Sequence, residues 1–123
     1  EAEVLVDAGR GVKGEEDLAQ LRELAGLLGG ELACSRPIVD EGWLDHSLQI
    51  GQSGTTVKPK FILNVGISGS VQYTVGMQKA QTVATINTYK GAELFDISQY
   101  GIVADYADII PAVIEEIKAR KSK

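Results

Sequence analysis

The sequence is short of the residues on which most catalytic and metal sites are built. It has one cysteine, Cys34, so no intramolecular disulfide can form, which fits a reducing compartment. Cys34 ends the short apolar segment Glu31-Leu32-Ala33-Cys34 and reads as a small buried hydrophobe rather than a nucleophile. His46 is the only histidine and has no ligand spacing around it, which excludes a metal cluster and a Ser-His-Asp triad. It reads as a surface or loop residue. No apolar run is long enough to span a bilayer and no signal peptide opens the chain, so no direct membrane insertion is expected. Positive charge is in deficit: 12 Lys and Arg against 17 Asp and Glu, a net charge of -5. That balance argues against nucleic acid or an anionic membrane as the main partner. One common nucleotide fingerprint is also missing: no Gly-Lys-Ser/Thr closes a phosphate loop. Gly9-Arg10-Gly11-Val12-Lys13-Gly14 has the G-x-G-x-x-G spacing but reads only as a weak imitation of the dinucleotide fingerprint.

What is present is an ordinary soluble-domain composition, 44% hydrophobic and 24% charged, in 123 residues. That length fits one domain with its own core. The single methionine is Met77, and the chain opens directly on a strand pattern. Both features predict a domain of a longer protein. Short apolar runs at Val4-Leu5-Val6-Asp7, Phe61 to Val65 and Thr82 to Asn87 read as buried strands, and Glu31 to Ser35 and Gly101 to Asp105 as two further strands. Leu94-Phe95 reads as a brief strand end. Between strands, Leu18, Leu21, Leu24, Ala25 and Leu28 share one helical face, with Glu15, Glu16 and Asp17 in the first turn and Gly29-Gly30 as the stop. Arg36 to Trp43 reads as a short helix or irregular turn. Another helix is expected over Ser68 to Gly76, with Ser68 as its N-cap. A last one is expected from about Ala107 to Lys121, with Pro111 tolerated only in its first turn. Alternating strands and helices predict an α/β fold, an open and mostly parallel sheet with helices on both faces.

In such sheets ligands bind beyond the carboxyl ends of the strands. Gly9-Arg10-Gly11, Ser35-Arg36, Gly66 to Ser70, Asn87 and Asp105 all fall there. The densest stretch is Gln49 to Met77, with two glycine-and-hydroxyl clusters, Gly51-Gln52-Ser53-Gly54 and Gly66-Ile67-Ser68-Gly69-Ser70, around an apolar strand. A glycine-rich turn lets backbone approach a ligand, and amides beyond it attract anions. A phosphate-bearing cofactor is the natural occupant.

Six motifs in order then resemble one family. They are Ser35-Arg36-Pro37-Ile38-Val39-Asp40-Glu41-Gly42, Gln49 to Gly54, Val57-Lys58-Pro59, Gly66 to Tyr73 with Gly76-Met77, Ile86-Asn87, and Tyr100 to Asp105. Together they resemble the FAD-binding C-terminal domain of the electron transfer flavoprotein alpha subunit, over essentially all of residues 1–123. The resemblance implies a Rossmann-like, deoxyhypusine-synthase-like NAD/FAD-binding fold and FAD as cofactor. It also implies an electron carrier rather than an enzyme, in a heterodimer with a beta subunit. Donors would be flavin dehydrogenases such as acyl-CoA dehydrogenases, and the acceptor a membrane quinone reductase. The compartment would be the bacterial cytoplasm or the mitochondrial matrix, and the family's N-terminal domain would be absent.

Residue by residue, the resemblance puts Ser68, Gly69, Ser70, Val71 and Gln72 at the pyrophosphate and Arg10 in a contacting glycine turn. It puts Ser35 and Arg36 near the flavin ring. A fixed cation about 4 Å from it would be worth roughly 4 kcal/mol at an effective dielectric of about 20. Ile50, Gly51, Gln52 and Ser53 would form the loop over the flavin, with the Ser53 hydroxyl near its central nitrogen. Asn87, Asp105 and Tyr106 would hold the adenosine end, although Asp105 also suits a helix N-cap. Tyr73 stands where ordinary members have a histidine near the pyrimidine edge. It can donate a hydrogen bond but brings no positive charge near neutrality. Thr55 replaces a lysine, and Asn87 to Glu93 departs from the family's Asn-Lys-Asp-Pro segment. Two rival readings stay open: an NAD(P)-binding, transhydrogenase-like enzyme domain, and a cofactor-free interaction domain.

Overall fold

The computed structural model describes residues 3–51 and 59–121. Five strands, β1 (Val4–Ala8), β2 (Glu31–Cys34), β3 (Phe61–Val65), β4 (Thr82–Asn87) and β5 (Tyr100–Val103), form one sheet in the order β2-β1-β3-β4-β5. Every pairing is parallel. The expected open parallel sheet is therefore observed. Because the order reverses between β1 and β3, their carboxyl ends diverge there and leave the crevice in which such sheets bind ligands.

The helices are α1 (Glu15–Leu27), α2 (Arg36–Asp40), α3 (Val71–Met77) and α4 (Tyr106–Lys121). α1 follows the expected pattern. Leu18, Leu21, Leu24 and Ala25 are buried, and three acids occupy the first turn. Its end is a Schellman motif: Gly30 N donates to Ala25 O at 2.8 Å and Gly29 N to Gly26 O at 3.1 Å. Gly29 supplies the positive φ of 74° that this stop requires.

Strand alternation sorts the core into two layers. Val6, Ala8, Leu63, Val65 and Ile86 face α1 and α4, where they join Leu21, Leu24, Ile110 and Ile114. Leu5, Ile62 and Val83 face the other way, toward Tyr73, Met77 and Leu94. Lys118 Nζ meets Glu23 Oε2 at 2.8 Å between α4 and α1. Tyr106 Oη accepts from Lys13 N at 2.9 Å and donates to Asp17, which pins the start of α4 to the entrance of α1.

Four local expectations need correction. Ser70, not Ser68, caps α3: its hydroxyl accepts from Tyr73 N at 3.1 Å. The N-cap lies two residues later because Gly69, at a φ of 103°, ends the turn before it. Residues 93–97 form a 3₁₀ turn rather than a strand end, so Leu94 drops into the core beneath Gly69. The last strand begins at Tyr100 and ends at Val103. Pro111 lies inside α4, in the second turn. The carbonyl it leaves without an amide partner belongs to exposed Ala107, where water can satisfy it.

Candidate functional site

The crevice at the β1/β3 divergence is built from three turns. After β1, Gly9 N donates to Val65 O and Gly11 N to Gly66 O, at 3.0 and 2.9 Å. The turns after β1 and β3 are thus laced together through backbone. Gly66 has a φ of 69°, and a Cβ on it would lie 2.9 Å from Gly11 Cα and 3.0 Å from Val12 N. Only glycine fits this junction. After β2, Ser35 N donates to Ala8 O at 3.0 Å and starts α2, while Ile50 N donates to Cys34 O at 2.9 Å. The 49–51 segment is thereby brought to the same edge.

These turns enclose a cleft of about 730 Å³, within the usual range for cofactor sites. It is lined by Arg10, Ser35, Arg36, Pro37, Asp40, Gln49, Ile50, Gly51, Gly66, Ile67, Ser68, Gly69, Ser70 and Tyr73. Its charged members stand on the exposed rim. Arg36 Nε lies 3.6 Å from Asp40 Oδ2 one turn along α2, with both side chains more than 60% exposed. An exposed pair of this kind contributes little to stability. Asp40 also offsets part of the charge that Arg36 would otherwise present to a ligand.

Sequence reasoning named sixteen residues, and the cleft gathers nine of them: Arg10, Ser35, Arg36, Ile50, Gly51, Ser68, Gly69, Ser70 and Tyr73. Gln52 and Ser53 lie outside the described residues, as does Thr55. Val71 and Gln72 open α3 at the edge of the cleft. Asn87, Asp105 and Tyr106 do not line it; Tyr106 bonds Lys13 and Asp17, and the other two have local partners. Asn87 Oδ1 accepts from Tyr89 N, and Asp105 Oδ1 from Ala107 N, both at 2.9 Å. Asp105 also sits 3.6 Å from Lys13 Nζ. Asp105 therefore caps α4, the rival reading of that residue. Asp105→Ala is expected to lower stability by about 1 kcal/mol and leave ligand affinity unchanged. An affinity loss in a binding titration would restore the ribose role.

Two side chains behave differently from expectation. Tyr73 lines the cleft, but its hydroxyl turns inward to Asp7 and Asn64, away from any ligand edge. Asp7, which the sequence reading passed over as a strand end, is fully buried beneath it. Cys34 is buried, and burial pushes its thiol up to about 12, with the Asp7 charge acting in the same direction. It is inert at neutral pH, as expected for a small hydrophobe. Among the described residues no cluster of His, Cys, Asp and Glu could hold a metal ion.

Comparison with known proteins places this geometry. The profile of the family described as the electron transfer flavoprotein FAD-binding domain matches residues 1–78. The chain belongs to this family. It is 44% identical over 121 residues to protein FixB of Azorhizobium caulinodans, covering 98% of this chain and 33% of that protein. It is 46% identical over 118 residues to the LctC subunit of the lactate dehydrogenase (NAD(+),ferredoxin) of Acetobacterium woodii, covering 96% of this chain and 28% of LctC. To the electron transfer flavoprotein subunit alpha of Syntrophomonas wolfei it is 42% identical over 118 residues, covering 96% and 37%. The chain thus spans about a third of the length of the curated relatives it matches. This electron transfer flavoprotein alpha-type domain carries its glycine turns at the sheet divergence.

The residues present fit a flavin dinucleotide. A pyrophosphate needs backbone amides at close approach, and the Gly66–Ser70 turn lines the cleft with no bulky side chain except Ile67, which is buried. A flat ring system needs apolar walls, which Ile50 and Pro37 supply.

Proposed function

We infer that this domain holds FAD in the β1/β3 cleft as part of an electron-carrying alpha subunit. The observation that carries the reading is the junction of two glycine turns at the sheet's divergence, ringed by Arg10 and Arg36. FAD, when bound there, would accept electrons from a donor flavoprotein and pass them on. The chain's own residues bind, orient and shield. The 66–70 turn and the cap of α3 would face the pyrophosphate, with Arg10 adding charge. Ser35, Arg36 and the 49–51 segment would hold the ring, together with Gln52 and Ser53, which lie outside the described residues. No side chain is needed as acid, base or nucleophile, because the cofactor carries the chemistry.

The partner in this reading is a beta subunit, as in the heterodimeric family. Donors are flavin dehydrogenases, acyl-CoA dehydrogenases among them, and the acceptor is a quinone reductase. Among the described residues no helix is long and apolar enough to cross a membrane. The cytoplasm or the mitochondrial matrix is the compartment that suits these partners.

Titration of the chain with FAD tests the reading. Bound flavin should give visible absorption that survives desalting. Colourless protein that takes up no FAD, alone or with a beta subunit, would refute it, and uptake of NAD(P) instead would favour the enzyme-domain reading. Arg10→Gln should weaken FAD binding by about tenfold, roughly 1.4 kcal/mol. An unchanged affinity would remove Arg10 from the site.

A further inference from the structure

Three polar residues lie side by side in the middle of the sheet, on the face that α3 covers. Asp7, Asn64 and Thr85 are register neighbours across β1, β3 and β4, and none is more than 1% exposed. A buried polar row is costly unless its members are hydrogen-bonded. Here the contacts run on without a break. Tyr73 Oη meets both Asp7 Oδ2 and Asn64 Oδ1, the second at 2.5 Å. Asn64 Nδ2 faces Thr85 Oγ1 at 3.4 Å, and Thr85 Oγ1 faces Ser98 Oγ at 2.8 Å. Ser98 Oγ donates to the Leu94 carbonyl at 2.6 Å.

The far end fixes the direction of this chain. A carbonyl only accepts, so Ser98 uses its one proton on Leu94. Thr85 must then donate to Ser98 and accept from Asn64 Nδ2. That orientation turns Asn64 Oδ1 toward Tyr73, which must donate to it. A phenol has a single proton. The contact between Tyr73 Oη and Asp7 Oδ2 is therefore a hydrogen bond only if Asp7 supplies the proton. Turning the Asn64 amide over breaks the chain elsewhere. Either the Asn64–Thr85 or the Thr85–Ser98 contact would then hold no proton. A fully buried carboxylate would also keep its charge with Oδ1 unpartnered among the described residues.

Burial acts in the same direction. It is the largest cause pushing the Asp7 carboxyl up to about 7; only a Tyr73 proton donated to the carboxylate would act against it. The titratable group facing Asp7 is Tyr73 from α3; Cys34, on the opposite face at the end of β2, lies close enough to feel the Asp7 charge. Burial raises both above their ordinary values, so both are neutral. Asn64 and Thr85, from β3 and β4, do not titrate. Arg10 and Arg36 stand on the exposed rim.

We propose that Asp7 is a proton-bearing positioning residue of the cleft. As the neutral acid it donates to Tyr73, fixes the phenol of this cleft-lining residue, and keeps the ground beneath the cleft uncharged. A negative charge placed in the cleft then raises the affinity of Asp7 for its proton, and an ionised Asp7 opposes that charge. This second half rests on the flavin reading, because reduction of a bound flavin is what would bring the charge.

Infrared spectroscopy of the chain without FAD tests the first half. The carbonyl stretch of a protonated carboxyl should be present at mildly acid pH and vanish with a midpoint near 7. Asp7→Asn should fold, because its amide donates to Tyr73, and should lack the band. Tyr73→Phe should shift the band, because the acid loses its acceptor. A wild-type spectrum with no band that Asp7→Asn removes would overturn the proposal in favour of the turned-over amide. In FAD-loaded protein, the potentials of wild type and Asp7→Asn should diverge as pH rises through the midpoint. Superimposed potentials would overturn the link to the cleft. The infrared band in a chain that takes up no FAD would uphold the proton site while the flavin reading fell.

Discussion

Gly66→Ala is expected to lower stability by about 2–5 kcal/mol and to abolish cofactor uptake. Two effects add. The residue sits at a φ of 69°, where a side chain costs roughly 1–2 kcal/mol. The new methyl would press on backbone, 2.9 Å from Gly11 Cα and 3.0 Å from Val12 N. Backbone cannot rotate away as a flexible side chain would, and overpacking of this kind costs about 1–3 kcal/mol. The junction it would open joins the turns after β1 and β3, so the cleft goes with the stability. Gly26→Ala is the matched control. Gly26 lies inside α1, exposed, with nothing within 4 Å of an added Cβ. There alanine should stabilise by about 0.5–1 kcal/mol. Urea melts of both variants would decide the matter. A Gly66→Ala midpoint equal to wild type would show that the junction yields, and the cleft would lose its rigid floor.

Much of the architecture is legible in the sequence because the strands are short, continuous apolar runs, the pattern a doubly covered parallel sheet demands. α1 is legible for the same kind of reason, with four buried positions at helical spacing and a glycine stop. The order of the strands is not, since no local pattern says that β3 pairs with β1 rather than β2. Pro111 misleads because propensity treats every helix carbonyl alike, whereas this one faces water. Of the nine residues that meet in the cleft, Arg10, Ser35, Arg36, Ser68, Gly69 and Ser70 sit shortly after strands, where the parallel topology itself gathers them, while the bond of Ile50 N to Cys34 O brings in Ile50 and Gly51 and α3 brings in Tyr73. Asn87 ends β4 and Asp105 follows β5, but beyond the crevice, and short-range backbone partners occupy them. Asp7 carries no sequence signal at all. An aspartate after Val4-Leu5-Val6 looks like a strand's polar end. Only the register with Asn64 and the arrival of Tyr73 from 66 residues away show that it is buried.

That burial makes an expected result of the pH dependence of stability. The Asp7 carboxyl moves from an ordinary 3.8 to about 7 on folding. Between those values the native state holds a proton that the unfolded chain has released, so stability must fall as pH rises. The contribution is fully present below 3.8, declines through the window and is lost above about 7. A shift of about three units corresponds to at most about 4 kcal/mol, at 1.36 kcal/mol per unit. Relaxation of the site around an ionised Asp7 would reduce it. Other carboxylates can impose the opposite trend, so the informative quantity is the difference between wild type and Asp7→Asn. The two should be nearly equal in stability near pH 4, where the acid and the amide both donate to Tyr73. Asp7→Asn should then gain steadily and level off near pH 8, about 2–4 kcal/mol above wild type. Denaturant melts across this range measure the difference directly. A flat difference would mean that Asp7 folds with its ordinary proton affinity. The hydrogen-bond chain would then have to start from a charged end, contrary to the direction that the Leu94 carbonyl imposes.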